Sequence, residues 1–112
     1  MPFMPHLRLC LFPDHPAGSA IVLDRLAREL AECESVEPSS VKAYAFVPDC
    51  FVPGPGHPPH FAHLEVKLLT GRSLALREMI ADRLYAALRD QLLGRGITVE
   101  VTEMERATYR KG

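Results

Sequence analysis

No stretch of this sequence approaches the roughly 20 apolar residues that a bilayer span requires, and its opening lacks the basic-then-apolar layout of a secretory leader. No membrane partner is expected, and the chain reads as cytoplasmic. An excess of one charge is missing too. The 13 lysines and arginines and 14 acidic residues are interspersed, which leaves no basic footprint for nucleic acid. Cysteine is sparse: Cys10, Cys33 and Cys50 are odd in number and widely separated, so they provide neither a disulfide framework nor zinc-ligand spacing. They read as reduced thiols, and as small buried residues rather than nucleophiles.

What remains is a chain of 112 residues, the size of one domain over 1–112 with a single core. A core this small gains stability when a further face is buried between subunits.

Leu7, Leu9 and Leu11 alternate with His6, Arg8 and Cys10, which predicts a half-buried strand from His6 to Phe12. Pro13 to Gly18 breaks the pattern. Ser19 is placed to cap a helix with Leu23, Leu26, Ala27 and Leu30 on one face, ending near Cys33. Val41, Ala43, Ala45 and Val47 then alternate with Lys42, Tyr44 and Phe46 in a second strand, closing a first β-α-β unit over 5–47. The segment 48–60 holds five of the ten prolines together with Gly54 and Gly56, so it supplies neither helix nor ladder and must be a loop.

The second unit, 61–102, repeats this order. Phe61 to Leu69 reads as a strand with Ala62, Leu64, Val66 and Leu68 inward. Ser73 opens a helix in which Leu76, Ile80, Leu84, Leu88 and Leu92 recur every fourth residue, flanked by Met79 and Ala87 and stopped by Gly94 and Gly96. Ile97, Val99 and Val101 form a fourth strand, and the charged tail 103–112 has no apolar period. The tail is expected to be loose or to clasp a neighbour. His6-Leu7-Arg8-Leu9 and His63-Leu64-Glu65-Val66 stand 57 positions apart (63 − 6), and nearly the same offset relates Ser19 to Ser73 and Val41 to Ile97, as in a duplicated unit.

This order fits either a ferredoxin-like split unit or a sheet in which each helix links two adjacent parallel strands. In both, helices cover one face. The other face, with Arg8, Tyr44, Phe46, Glu65 and Lys67, is open in a lone subunit and is suited to an oligomer interface.

Met4-Pro5-His6-Leu7 with its following strand, Phe61-Ala62-His63-Leu64-Glu65-Val66-Lys67-Leu68 and Gly71-Arg72-Ser73-Leu74 together resemble the 5-(carboxymethyl)-2-hydroxymuconate isomerases of the tautomerase superfamily. The resemblance spans nearly the whole chain. It implies the second architecture, an α/β fold with two β-α-β units related by a pseudo-twofold, a four-stranded mixed sheet and two helices on one face. It also implies a homotrimer with its sheets inward, and an isomerase that uses no metal and no organic cofactor. Its substrate would be a small enol or dienol carboxylate.

In that chemistry an N-terminal proline moves a proton between an enol oxygen and a conjugated carbon. A proline nitrogen is a base only as a free secondary amine, because acylation turns it into an amide. A free α-amino group titrates near about 7.7–8.0, and burial or a neighbouring cation lowers that value. By position the resemblance makes Pro5 the catalytic proline when the chain begins there, or Pro2 when it begins after Met1. Arg72 matches the arginine after the third strand, which pairs with a substrate carboxylate and serves both catalysis and binding. A cation at a helix start opposes the helix dipole, which also argues that Arg72 has a role beyond solvation. On the second strand the family has arginines where this chain has Lys42 and Tyr44. Lys42 would hold a carboxylate as a point charge and Tyr44 would donate one hydrogen bond.

Two other readings compete. His57, His60 and His63 recur every third residue, but intervening prolines and the change from loop to strand work against a shared metal geometry. The other is a tautomerase-like trimer that binds a small carboxylate or a protein partner without turnover, which is the expected behaviour while Pro5 stays an amide behind Met4.

Overall fold

The computed structural model describes residues 5–34 and 36–112. Pro2 and Met4 lie outside the described residues. Four strands, β1 (His6–Phe12), β2 (Lys42–Phe46), β3 (Phe61–Leu69) and β4 (Gly96–Met104), and two helices, α1 (Ser19–Ala31) and α2 (Leu74–Gln91), make up the regular structure. The sheet order is β2-β1-β3-β4. β1 and β2 are parallel, as are β3 and β4, while β1 and β3 are antiparallel neighbours at the centre. Each helix therefore connects two adjacent parallel strands, the second of the two architectures open to the sequence, and the fold class is α/β with two β-α-β units.

Alternation decides which face is buried. Leu7, Leu9 and Leu11 of β1 and Ala62, Leu64, Val66 and Leu68 of β3 are fully buried against Val22, Leu26 and Leu30 of α1 and Ile80, Leu84 and Leu88 of α2. Each such leucine or isoleucine contributes on the order of 1.5–3 kcal/mol relative to its exposed state. Arg83 of α2 ties the helices together through Glu29 of α1, at 2.7 Å, and Glu32 just beyond its end.

Helix starts differ from expectation at one of two points. Ser73 caps α2, its hydroxyl accepting the Leu76 N–H at 3.1 Å. Ser19 does not cap α1: Gly18 occupies that position with φ 90°, closed by its N–H bonding to the His15 carbonyl at 2.8 Å. The positive φ favours glycine, and it moves Ser19 into the first turn. α1 ends at Ala31, short of Cys33, and Met79 is exposed rather than flanking the core. Of the cysteines only Cys33 is buried; Cys50 is exposed.

The other sheet face carries rows of side chains set by the register: Lys42, His6, Lys67 and Thr102; Tyr44, Arg8, Glu65 and Glu100; Phe46, Cys10, His63 and Thr98. Arg8 lies over the Phe46 ring at 4.6 Å. In the loop 47–60, Phe51 stacks on Phe61 at 4.3 Å. The tail, expected to be loose or to clasp a neighbour, folds onto its own chain. β4 runs on to Met104, residues Arg106–Thr108 form a 3-10 turn, and Tyr109 returns to β1 of its own chain. Among the described residues no helix is long and apolar enough to cross a membrane.

Candidate active site

The antiparallel pairing of β1 with β3 brings the start of one to the end of the other, with His6 opposite Lys67. Pro5, just before β1, is buried, and its carbonyl accepts the Lys42 N–H of β2 at 3.1 Å. The turn Thr70-Gly71-Arg72 leaves β3 at this same end of the sheet. Gly71 takes φ 115°, which suits glycine, and the half-buried Arg72 sits between it and the capping Ser73. Four sequence-predicted positions are thus placed: Pro5 and Lys42 share a hydrogen bond, Tyr44 lies two residues along β2, and Arg72 lies at the end of the sheet where β1 begins.

Three residues that sequence reasoning left out of the site join them. His6 stands between Lys42 and Lys67 on neighbouring strands. Its ring meets Tyr44 edge-on at 6.1 Å between centroids and Tyr109 at 6.2 Å, and Nε2 is 3.1 Å from the Tyr109 hydroxyl. Burial, and after it the charges of Lys42 and Lys67, hold the His6 imidazole below its ordinary value, which favours the neutral ring. The two lysines lie on either side of β1 with His6 between them, and Lys67 also has the Glu65 carboxylate 3.9 Å away; the row presents two cations to an anion at this end of the sheet. His6 and Lys67 carried a weak signal in their outward placement, but no local pattern pointed to Tyr109.

The thiols of Cys10 and Cys33 are not activated. Burial pushes both Cys10 and Cys33 upward, outweighing Arg8 at the first and Arg83 at the second, whereas a nucleophilic cysteine needs a lowered value. Among the described residues no group of three or more histidine, cysteine or acidic side chains is placed to hold a metal ion. His63 instead bonds Thr98 Oγ1 at 2.7 Å and lies 3.3 Å from Glu100. Two open clefts, of about 400 Å³ beside Asp14, His15 and Arg95 and about 250 Å³ beside Phe51 and His57, lie at the opposite end of the sheet.

No protein-family model and no curated protein sequence matches the chain. Solved structures do. A 5-carboxymethyl-2-hydroxymuconate isomerase from Deinococcus radiodurans R1 is 25% identical with a TM-score of 0.81, over 97% of this chain and 89% of that one. The chain has the tautomerase fold. A macrophage migration inhibitory factor-like protein from Entamoeba histolytica shares this tautomerase architecture at 17% identity and a TM-score of 0.76, covering 97% of this chain and 96% of its own. A fused wild-type 4-OT, a symmetric trimer, shares it at 19% identity and a TM-score of 0.78, covering 96% and 91%.

Proposed function

We propose that this chain is a cofactor-independent isomerase that ketonises an enol or dienol carboxylate, of the kind represented by 5-carboxymethyl-2-hydroxymuconate. The observation that carries the reading is the meeting, at one end of the sheet, of Pro5 with the Lys42-His6-Lys67 row, on a fold shared with the Deinococcus isomerase.

In the form that begins at Pro5, the proline nitrogen is a secondary amine. It accepts the enol O–H proton as the carbonyl forms and returns a proton to the conjugated carbon, so one O–H bond breaks, one C–H bond forms and nothing is oxidised. Arg72 pairs with a substrate carboxylate, Lys42 adds a point charge and Tyr44 one hydrogen bond, which together steady the dienolate. No other group is needed for the proton balance.

The open sheet face supports a homotrimer like that of the fused 4-OT, with Tyr44, Phe46 and Arg8 turned inward. We place the protein in the cytoplasm, where three free thiols stay reduced.

The test uses natively expressed protein, whose intact mass identifies the terminal residue, and protein made to begin at Pro5. The latter should ketonise phenylenolpyruvate or a hydroxymuconate, and Arg72→Ala should lower kcat/KM by about 10²-fold or more. Equal turnover by Pro5→Ala would sink the mechanism. One feature favours a second reading, a binding scaffold without turnover: in the 112-residue chain Met4 precedes Pro5, and its nitrogen is an amide. Carboxylate binding without turnover by the Pro5-initiated form would select it.

A further inference from the structure

We propose that the C-terminal segment from Glu105 to Tyr109 is a strap that positions the Arg72 turn against the start of β1, with Arg106 and Tyr109 as its two attachment points. This rests on the isomerase reading for its catalytic consequence, though not for its structural one.

The segment begins on an edge strand and ends on a central one. β4 is separated from β1 by β3, yet Tyr109, five residues beyond the end of β4, reaches His6 on β1. It must therefore cross the end of β3, where the chain turns into Arg72. At that crossing it is fastened on both sides of one residue. The Thr70 N–H bonds the Met104 carbonyl at 3.1 Å, and Nη2 of Arg106 donates to the Thr70 carbonyl at 3.0 Å. The guanidinium also lies over Gly71, its Nη2 3.9 Å from where a Cβ would stand.

The strap has its own local structure. The Glu105 carboxylate accepts the Ala107 N–H at 3.4 Å, the Thr108 N–H bonds the Glu105 carbonyl at 3.1 Å, and the Thr108 hydroxyl bonds the same carbonyl at 3.3 Å. This folded turn brings Tyr109 back over the sheet, where its hydroxyl meets His6 Nε2. One short segment thus bonds the turn that presents Arg72 and the residue next to Pro5. Two groups on different halves of a duplicated fold are spaced by the antiparallel β1–β3 pair and by the packing of α2 against α1 through Arg83, and the strap adds a direct link at the end of the sheet where both stand; misplacement by about 1 Å can cost two orders of magnitude in rate. Arg106 and Tyr109 act through Thr70 and His6 rather than by touching substrate; both are positioning residues.

The experiment compares wild type, Arg106→Ala, Arg106→Lys and Tyr109→Phe, all beginning at Pro5. It reads amide exchange at Gly71 and Arg72, the titration of the His6 ring by NMR, and kcat and KM for phenylenolpyruvate. Arg106→Ala should speed exchange at Gly71 and Arg72 about tenfold, leave exchange at Leu84 and Leu88 unchanged, and raise KM about tenfold, with kcat lowered as well because Arg72 also steadies the dienolate. Arg106→Lys, which retains a donor for the Thr70 carbonyl, should restore most of both. Tyr109→Phe should move the His6 titration.

Unchanged exchange at the turn in Arg106→Ala overturns the proposal, as does an equal rise throughout α2, failure of the lysine to rescue, or a His6 titration indifferent to Tyr109. In an active wild type, an unmoved KM in Arg106→Ala overturns it as well. If the wild type turns nothing over, the isomerase reading falls alone, and the exchange and titration results still decide the strap.

Discussion

The Tyr109 hydroxyl and the imidazole of His6, 103 positions apart in sequence, meet at 3.1 Å on the open face of the sheet. The contact closes the chain end onto its first strand. It also surrounds His6 with Tyr44, Tyr109, Lys42 and Lys67, a setting that burial and the two lysines make unfavourable for the imidazolium.

That setting gives stability a pH dependence of definite sign. The folded-state value of His6 is depressed, so the unfolded chain takes up its proton first as pH falls below about 6.5. The contribution is fully present above that value and is lost as pH falls through the folded pKa. Thermal melts between pH 7 and 5 should fall less steeply for His6→Gln than for wild type. Parallel slopes would assign the dependence to other groups.

Ser73→Ala removes the one side-chain cap of α2, the bond to the Leu76 N–H at 3.1 Å. The expected cost is about 1 kcal/mol, measured by denaturant unfolding. Because Ser73 fixes the helix start next to Arg72, substrate KM should rise in the same variant.

Leu84 of α2 is fully buried in the core shared by the sheet and both helices. Truncation in Leu84→Ala leaves a cavity and should cost about 2–5 kcal/mol, a large share of the stability of a domain this size. Chemical denaturation with an unchanged m-value and a lowered midpoint is the expected result.

Phe46 is 39% exposed on the open face beside Arg8. In a trimer that uses this face, Phe46→Glu places a charge in the contact, and sedimentation should show the assembly of the wild type replaced by monomer. A wild type that sediments as a monomer would remove the trimer from the proposal.

The central strands were legible to the residue. His6–Phe12 and Phe61–Leu69 alternate leucine, alanine or valine with polar side chains over seven and nine positions, and burial of one face follows from that period. The second strand begins at Lys42 and ends at Phe46 rather than running from Val41 to Val47: Lys42 pairs with His6, the first residue of β1, and the ladder stops at Phe46 opposite Cys10, although β1 runs on to Phe12. At the start of α1 the backbone conformation of Gly18 takes the place of the side-chain cap that Ser19 predicts. In the site, Pro5, Lys42, Tyr44 and Arg72 came from position in a known pattern. His6, Lys67 and Tyr109 depend on which strand lies beside which, and no local period encodes that. The charged tail looked featureless for the same reason, since its single anchoring aromatic binds a residue at the far end of the chain.

The strand register has one more consequence. Arg8 and Glu65 are opposite one another across β1 and β3 and occupy equivalent places in the duplicated unit, 57 positions apart (65 − 8). They therefore flank the axis that relates the two halves. A first half that paired with a copy of itself in this register would set arginine against arginine, and a second half would set glutamate against glutamate. Each arrangement repels where the native one attracts. The charge difference at this position lets each half tell its complement from its own copy.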